Sequence, residues 1–271
     1  MSTQTQTIEA VVFDWAGTVI DFGSLAPMGA FVKVFAGFDI EISIADARGP
    51  MGRAKLDHIR AIGELPHVNA QWLEKHKKAF DEEAALAVYE KFLPINREVV
   101  TDFADLIDGV DSVIAGLRAR NIKIGSTTGY TRDIMARILP LAAEQGFDPD
   151  NLVCAGDLWA GRPTPVMMRK TFLDLQVTDS SRVVKVDDTP VGISEGIAAG
   201  TWTVGVAASG NEMGLSRAEW LSLDTTTQAD RITQASRRLL EAGAHFIVPT
   251  VASLPGVIEI VERRLAQNMR P

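Results

Sequence analysis

The sequence predicts an α/β fold: a doubly wound parallel (Rossmann-like) sheet forms a core domain, and a helical cap domain is inserted into it. Three observations predict this fold. Short β-branched apolar runs alternate with helical patterns after about residue 103, which is typical of a parallel sheet with crossover helices. Residues 23–100 show helical periodicity without a strand pattern. The 271 residues are enough for a core domain and a smaller second domain.

The core elements are predicted from runs of apolar residues. The first strand is expected over residues 8–15, where IEAVVFDW is an apolar run that ends before Gly17. Further strands are predicted at 122–127, 151–155, 182–186, 201–207 and 245–248, and helices at 110–120, 132–145, 164–175, 190–199, 227–242 and 253–267.

The segment after the first strand is predicted to be helical. Ser43 and Asp46 have the spacing of an N-cap pair. Helices are predicted near 27–38, 43–49, 51–64 and 69–92.

The domain prediction is a core domain at 1–21 and 103–271, and a helical cap domain at 22–102. An insertion after the first strand lies over the carboxyl ends of the strands, where open α/β sheets bind ligands. We therefore expect the cap to act as a lid.

Charge and composition exclude several classes of protein. The net charge is −8, from 27 basic and 35 acidic residues, so a nucleic-acid partner is not expected. No stretch approaches ~18 uninterrupted apolar residues, and the N-terminus lacks the apolar segment of a signal peptide. A membrane partner is therefore not expected.

The one cysteine, Cys154, lies in an apolar run and is predicted to be a buried thiol. A single cysteine cannot form an internal disulfide, which fits a reducing, cytoplasmic location.

Acidic residues lie at the ends of two of the predicted strands. Asp14 is open to two interpretations: a lone aspartate there is commonly a helix cap, and it is also where a nucleophilic carboxylate would lie. Asp187 and Asp188 follow the apolar run VVKV, and adjacent carboxylates are costly to bury unpaired. With Asp14 they form an oxygen-rich set that is suited to Mg²⁺.

Candidate phosphate ligands follow two other strands. Thr128, Gly129 and Tyr130 come after the strand predicted at 122–127, where hydroxyls and turn N–H groups could hold phosphate oxygens. Such a sequence alone is usually only a turn. Arg162 could pair with a phosphate dianion, although an isolated arginine is usually a surface residue.

In this order, each at a strand end, these signals resemble the haloacid dehalogenase superfamily of phosphotransferases. DWAGT resembles its nucleophile loop, Thr128 its phosphate-binding hydroxyl, Arg162 its basic residue, and Asp187-Asp188 its acidic metal loop. One departure is informative. Phosphatases of this superfamily carry an aspartate, the general acid for an alkoxide leaving group, where this sequence has Ala16. Positioned acid catalysis is typically worth roughly 10²–10⁴-fold, so a broad phosphomonoesterase would be handicapped without it.

Lys55 lies in a helical pattern of the predicted cap. Met51, Lys55, His58 and Ile62 are spaced to share one helix face. A lysine on such a face usually extends to solvent. A desolvated lysine beside another cation can instead form a Schiff base with a carbonyl.

Six segments together resemble the phosphonatase family within the superfamily. They are DWAGTVID, RGPMGRAKLDHIRA, IKIGSTTGYTRDIM, AGRPTPVMM, VVKVDDTP and TWTVGV.

This resemblance implies the hydrolysis of a small-molecule substrate, phosphonoacetaldehyde, to acetaldehyde and phosphate with Mg²⁺. Lys55 would form an imine with the aldehyde, and Asp14 would attack phosphorus while the C–P electrons flow into that imine. No alkoxide leaves in this scheme, which explains Ala16. The resemblance also suggests a homodimer through the cap.

The resemblance further implies the remaining roles. The metal would be bound by Asp14, the main-chain carbonyl of Ala16 and Asp188, with Asp187 beside it. Gly192 occupies a position where some relatives have a second acid, so Asp187 could substitute for that acid. The phosphoryl oxygens would be held by Thr128, Gly129 and Arg162. His58 and Tyr130 are candidate proton carriers, and Met51 a candidate shield for Lys55.

Two other functions remain open at this stage. One is a phosphatase or phosphomutase of the same superfamily that acts on a phosphosugar, against which Ala16 and Lys55 argue. The other is a non-catalytic protein that binds a phosphorylated metabolite with a relic site. The full set of Asp14, Thr128, Arg162 and Asp188 argues against that decay.

Overall fold

Six parallel strands form one sheet in the order β3-β2-β1-β4-β5-β6 in the computed structural model. The structure describes residues 7–271. Residues 1–6 lie outside the described residues. The start of the predicted core domain therefore also lies outside them, as does most of the N-terminal segment for which no signal peptide is predicted. The strands are β1 (Ala10–Phe13), β2 (Lys123–Thr131), β3 (Val153–Ala155), β4 (Val183–Asp187), β5 (Trp202–Val206) and β6 (Phe246–Val248).

The position of β1 explains where a ligand can bind. All four of its residues are buried, and it pairs with β2 on one side and with β4 on the other. The chain builds outward from β1 to β3 and then returns to β4, so the strand order reverses at β1. Open α/β sheets hold their ligands in the crevice at such a reversal, outside the carboxyl ends of the strands.

Helices cover both faces of the sheet. Val11 and Phe13 point into one apolar cluster, while Ala10 and Val12 point into another, because successive strand residues face opposite sides. The predicted doubly wound α/β core is therefore confirmed. Helix α6 (Val110–Ala119) precedes β2 in the chain. The helices that follow β2 are α7 (Arg132–Glu144), α8 (Val166–Leu175), α9 (Pro190–Ala199), α10 (Arg217–Ser222), α11 (Thr225–Glu241) and α12 (Leu254–Ala266).

Five of the six α-helices that lie between β1 and β2 in the chain share an apolar cluster of their own. Phe31, Phe35 and Phe92 are fully buried in it. The predicted limits of a cap domain at 22–102 stay a prediction. These helices are α1 (Ala26–Ala36), α2 (Ile44–Arg48), α3 (Lys55–Gly63), α4 (Pro66–His76) and α5 (Glu82–Val99).

Two helix predictions in this segment are wrong. The single helix expected over 69–92 is divided, because Lys77 adopts a left-handed conformation (φ 58°) at the end of α4 and the Asp81 side chain caps α5. The helix expected over 51–64 begins only at Lys55, so Met51 precedes the helix instead of sharing its face. The N-cap pair of Ser43 and Asp46 is confirmed as a reciprocal capping box.

Two differences affect the core. Strand β2 continues to Thr131 with an irregularity after Thr128, so Thr128, Gly129 and Tyr130 extend the strand instead of forming a turn. Helix α10 was not predicted from the sequence. Across residues 7–271, every helix is too short or too polar to span a bilayer.

Candidate active site

A small cavity opens at the carboxyl ends of the central strands. Both the sheet and the inserted helices line it, so it lies between the two apolar clusters. Most of the predicted site residues meet there: Asp14, Ala16, Met51, Lys55, Thr128, Gly129, Tyr130 and Arg162. Its lining also includes residues that the sequence did not indicate: Ser24, Pro27, Gly52 and Thr189.

Asp14 follows β1 directly and is held by the sheet. Its backbone N–H donates to the carbonyl of Val186 on β4 (3.0 Å). The side chain is only 6% exposed, and its Oδ1 lies 2.8 Å from Arg162 Nη1. Burial and the nearby Asp187 carboxylate raise the pKa of Asp14 to about 6, although Arg162 opposes the shift.

Three carboxylates come together at this strand end. Asp14, Asp187 and Asp188 offer oxygens that all lie within 4.8 Å of one another. Asp188 accepts hydrogen bonds from the Asn211 backbone N–H (2.7 Å) and the Thr18 hydroxyl (3.3 Å). Burial, followed by repulsion from Asp14 and Asp187, raises the pKa of Asp188 well above its usual value. Such a crowded acidic group is suited to binding a cation.

Asp187 has a different environment from its neighbour. Its Oδ1 accepts from the backbone N–H (3.0 Å) and hydroxyl (2.7 Å) of Thr189. Its Oδ2 lies 3.1 Å from Lys185 Nζ and 3.4 Å from Arg162 Nη2. Burial acts to raise the pKa of Asp187, but the two cations outweigh it and hold the pKa below its usual range.

Gly192 leaves the space that the Asp187 carboxylate fills. A Cβ atom at position 192 would lie 1.9 Å from Asp187 Oδ2. The Asp187 carboxylate, at the end of β4, therefore occupies the space beside the first turn of α9. A larger residue at position 192 cannot be accommodated unless Asp187 moves.

Arg162 is 7% exposed and is fixed by groups below the cavity. Its Nε donates to Glu195 Oε2 (3.0 Å), and its Nη2 donates to the Thr127 carbonyl (2.6 Å). Although burial disfavours the charge, Asp187, Asp14 and Glu195 raise the pKa of Arg162 further. Nη1 forms an ion pair with Asp14 Oδ1 at 2.8 Å.

Glu195 and Lys185 are site residues that the sequence analysis missed. Both are fully buried. Lys185 Nζ lies 2.8 Å from the Thr127 hydroxyl and 3.5 Å from Glu195 Oε2. One signal was available: a lysine inside the apolar strand VVKV must be buried, and a buried lysine requires an acidic partner. The sequence could not reveal which acid serves as that partner.

The charges of this buried group are unequal. Four carboxylates (Asp14, Asp187, Asp188 and Glu195) face two cations (Arg162 and Lys185), which leaves two negative charges when all are ionised. An uncompensated buried charge is strongly unfavourable. A divalent cation at the aspartate cluster would neutralise the excess, so the residues present fit a divalent metal.

Lys55 occupies the opposite wall of the cavity, in the first turn of α3. It is 4% exposed, and its Nζ lies 4.9 Å from the ring centre of Tyr130 and 4.0 Å from Met51 Sδ. Burial lowers the pKa of Lys55 to about 8, with a further contribution from Arg162, while Asp14 and Asp21 oppose the change. At pH 7, about a tenth of this amine is therefore neutral, far more than for an ordinary lysine.

His58 lies on the same helix as Lys55 but behind the cavity. Its Nε2 donates to the Ala47 carbonyl (2.7 Å), which fixes the proton on that nitrogen. Its ring stacks on Phe31, with the ring centres 4.0 Å apart. Burial, and then the Lys55 charge, lower the pKa of His58 well below 6.5, so the ring is neutral. The other nitrogen, Nδ1, makes no hydrogen bond among the described residues.

Tyr130 lines the cavity, and its phenol is protonated. Burial, with repulsion from Asp21 and Asp14, raises its pKa well above 10. Its hydroxyl is buried and has no hydrogen-bond partner within the described part of the chain. Next to it, a Cβ at Gly129 would lie 2.7 Å from the Arg53 carbonyl, so the absence of a side chain lets the inserted helices approach the sheet closely.

The fold, the aspartate cluster and the buried arginine define a class of enzyme. A family model described as a haloacid dehalogenase-like hydrolase matches residues 8–200. The chain belongs to this family and is a hydrolase, as its motifs indicated.

Particular relatives are closer. The chain is 49% identical to the phosphonoacetaldehyde hydrolase of Paraburkholderia xenovorans (strain LB400) over 264 residues, which are 97% of this chain and 99% of the relative. It is 47% identical to the phosphonoacetaldehyde hydrolase of Salmonella newport (strain SL254), over 97% of this chain and 99% of that protein. A crystal structure of a phosphonoacetaldehyde hydrolase-like protein from Oleispira antarctica superposes with a TM-score of 0.96, at 44% identity, covering 97% of this chain and 96% of that one.

The Gly192→Ala substitution is expected to lower hydrolytic activity by roughly 10²-fold, because the added Cβ would displace the Asp187 carboxylate and misplacement of about 1 Å can cost that much. Steady-state kinetics of the purified variant would measure the loss. Gly116→Ala on α6 is the control, since its Cβ would meet nothing within 4 Å. Wild-type activity in a folded Gly192→Ala enzyme would contradict the role given to this space.

Proposed function

We propose that this enzyme hydrolyses the carbon–phosphorus bond of phosphonoacetaldehyde, a small-molecule substrate, to acetaldehyde and phosphate. The observation that carries the proposal is Lys55, a buried amine with a pKa lowered to about 8 in the same cavity as Asp14. A phosphate ester needs no such amine, whereas an aldehyde can condense with it. The names of the curated relatives support the same reaction.

The first step is the condensation of Lys55 with the aldehyde. The neutral amine adds to the carbonyl carbon, water leaves, and a protonated imine forms. Met51 and the Tyr130 ring lie against the Lys55 side chain, so they exclude water from the imine. His58 Nδ1 carries a lone pair and could accept a proton during the condensation.

The second step breaks the C–P bond. An oxygen of Asp14 bonds to phosphorus, and the C–P electron pair moves into the protonated imine to give an enamine. The imine is an electron sink, so no bare carbanion leaves. Because no alkoxide leaves either, the general acid that Ala16 replaces is not required.

The last steps restore the enzyme. The enamine carbon takes a proton. The buried Tyr130 hydroxyl is a candidate donor, because its ring centre lies 4.9 Å from Lys55 Nζ, and a water molecule would then return the proton to the phenolate. Water then hydrolyses the imine, releasing acetaldehyde and free Lys55. A second water cleaves the aspartyl-phosphate on Asp14 and releases phosphate.

The phosphoryl oxygens are proposed to bind Arg162, Thr128 and Gly129. The buried Nη1 of Arg162 lies 2.8 Å from Asp14 Oδ1, so a charged donor stands beside the attacking oxygen, which supports a role toward a phosphoryl oxygen. Charge-assisted hydrogen bonds of this kind are roughly twice as strong as neutral ones. Fixing the guanidinium on Glu195 and Thr127 orients Nη1 before the substrate arrives.

The divalent metal is proposed to be Mg²⁺, which prefers oxygen ligands and retains several waters. Asp14, the Ala16 carbonyl and Asp188 would hold it. Asp187 is the weaker ligand candidate because Thr189, Lys185 and Arg162 already engage its oxygens. When bound, the ion would neutralise charge on the phosphoryl group and between the carboxylates.

The predicted homodimer and cytoplasmic location belong to the same proposal. Leu73 on α4 and Leu86 on α5 are 52% and 43% exposed; they offer apolar surface on the inserted helices that a second copy could cover. The single cysteine supports a reducing compartment.

Lys55→Arg is expected to abolish turnover without unfolding the enzyme, because arginine keeps the positive charge but cannot form an imine. Acetaldehyde release from phosphonoacetaldehyde can be followed through alcohol dehydrogenase and NADH oxidation. The control is Lys75→Arg, an exposed lysine on α4, which should keep full activity. Substantial turnover by Lys55→Arg would exclude the imine. If the wild type is inactive and a panel of phosphate monoesters is hydrolysed, the enzyme is a phosphatase.

Exhaustive chelation is expected to stop turnover, and Mg²⁺ to restore it, because the carboxylate cluster needs a compensating charge. The same ion should raise the unfolding temperature of the enzyme by relieving repulsion among the aspartates. Calorimetry with and without Mg²⁺ measures this second effect. Undiminished turnover after removal of all divalent ions would remove the metal from the reaction.

Imine formation on Lys55 is expected to rise with pH through about 8, not through the 10.5 of an ordinary lysine. Burial penalises the charged amine, and only the neutral amine attacks a carbonyl. Acetaldehyde is a suitable probe because it does not titrate in this range. Cyanoborohydride would reduce the imine to a stable adduct, and mass spectrometry would measure the fraction of enzyme modified at each pH. A midpoint near 10.5 would show that the cavity does not desolvate Lys55.

A further inference from the structure

The loop at 209–214 between β5 and α10 contacts the nucleophile loop, the start of the inserted segment and the carboxylate cluster. The Ser209 hydroxyl donates to the Gly17 carbonyl (2.9 Å) beside the nucleophile loop. The Gly23 N–H donates to the Ser209 carbonyl (2.7 Å) at the start of the inserted segment. The Asn211 N–H donates to Asp188 Oδ2 (2.7 Å). This loop therefore supports the carboxylate cluster directly.

Arg48, the last residue of α2, binds the same loop from the inserted segment. Its Nη1 donates to the carbonyls of Gly23 (2.9 Å) and Asn211 (3.2 Å) and to Asn211 Oδ1 (3.2 Å), and its Nη2 donates to the Gly214 carbonyl (3.1 Å). Asn211 Nδ2 donates back to the Arg48 carbonyl (3.4 Å). A Cβ at Gly214 would lie 2.7 Å from Arg48 Cζ, so the guanidinium packs closely on this loop.

The same end of α2 is linked to Lys55. The carbonyl of Ala47, next to Arg48, accepts the hydrogen bond from His58 Nε2 (2.7 Å). His58 lies one turn along α3 from Lys55. A chain of polar contacts therefore runs from Asp188 through Asn211 and Arg48 to the helix that carries the amine.

We propose that Arg48 and Asn211 are positioning residues, which set the location of Lys55 over Asp14 and hold Asp188 for the metal. The inference rests on the proposed reaction. The two halves of the site belong to different apolar clusters, so their mutual position must be fixed by contacts between them. The planar guanidinium suits this task because it directs five donors at fixed angles toward several carbonyls, whereas an ammonium offers three donors on a flexible stem.

The test compares the full-length wild-type enzyme with Arg48→Met, Arg48→Lys and Asn211→Ala. Arg48→Met is expected to lower kcat/KM for phosphonoacetaldehyde by roughly 10- to 100-fold, as expected for the loss of several hydrogen bonds to a charged group. It should also slow the trapping of acetaldehyde on Lys55 and raise the Mg²⁺ concentration needed for half-maximal activity. Arg48→Lys should recover part of each loss.

The matched control is Arg137→Met. Arg137 is an exposed arginine on α7, away from the cavity, and within the described residues its guanidinium forms no hydrogen bond or ion pair. It should leave all three quantities within about 2-fold, since surface substitutions usually change little. A purely structural role for Arg48 would lower the unfolding temperature and leave trapping and Mg²⁺ dependence unchanged. That result would overturn the proposal.

Two further measurements separate this inference from the proposed reaction. If Arg48→Met does not fold, Asn211→Ala must show the same pattern of losses, and an unchanged Asn211→Ala enzyme overturns the proposal. If the wild type does not turn over phosphonoacetaldehyde, the reaction fails but the positioning role is still testable. The rise in unfolding temperature caused by Mg²⁺ should then be smaller in Arg48→Met than in the wild type, and an equal rise would overturn it.

Discussion

The Arg162 guanidinium lies between three buried carboxylates, and the electrostatics of the active site depend on it. It contacts Asp14, Asp187 and Glu195 with almost no exposure to solvent. Removing one partner from such a buried group costs about 3–5 kcal/mol, because the remaining charges lose their compensation. The nucleophile, the acidic loop and the helix that carries Glu195 are therefore held as one unit, and Lys185 extends that unit across the sheet.

The opposite wall of the cavity follows a different physical rule. Lys55 is surrounded by Phe31, Tyr130 and Met51, so burial shifts its pKa more than any neighbouring charge does. The sheet supplies fixed charges, and the inserted helices supply an apolar environment. A reaction that needs both a phosphoryl acceptor and a neutral amine requires the charged site on the sheet and the apolar site on the helices to lie side by side. The insertion after β1 provides the apolar site.

Much of the site could be predicted because its residues follow strands. Asp14 and Asp188 come directly after buried apolar runs, and parallel strands bring their carboxyl ends to one edge. Local patterns were less reliable in the inserted helices. The division between α4 and α5 depends on a left-handed Lys77 and on the Asp81 cap; Asp81 followed by two glutamates was a readable N-terminal signal. Met51 was misassigned because periodicity cannot tell a preceding turn from the first helical turn.

The sequence alone determined the alternation of strands and helices, the family motifs and most of the residues that line the cavity, because these depend on local patterning and on the ends of strands. Tertiary structure decided the partners. Glu195 and Lys185 pair across elements distant in the chain, Asp187 fills the space in front of Gly192, and Arg48 meets Asn211 across 163 residues. Such pairings depend on how elements pack in three dimensions, and the spacing of residues along the chain does not encode them locally.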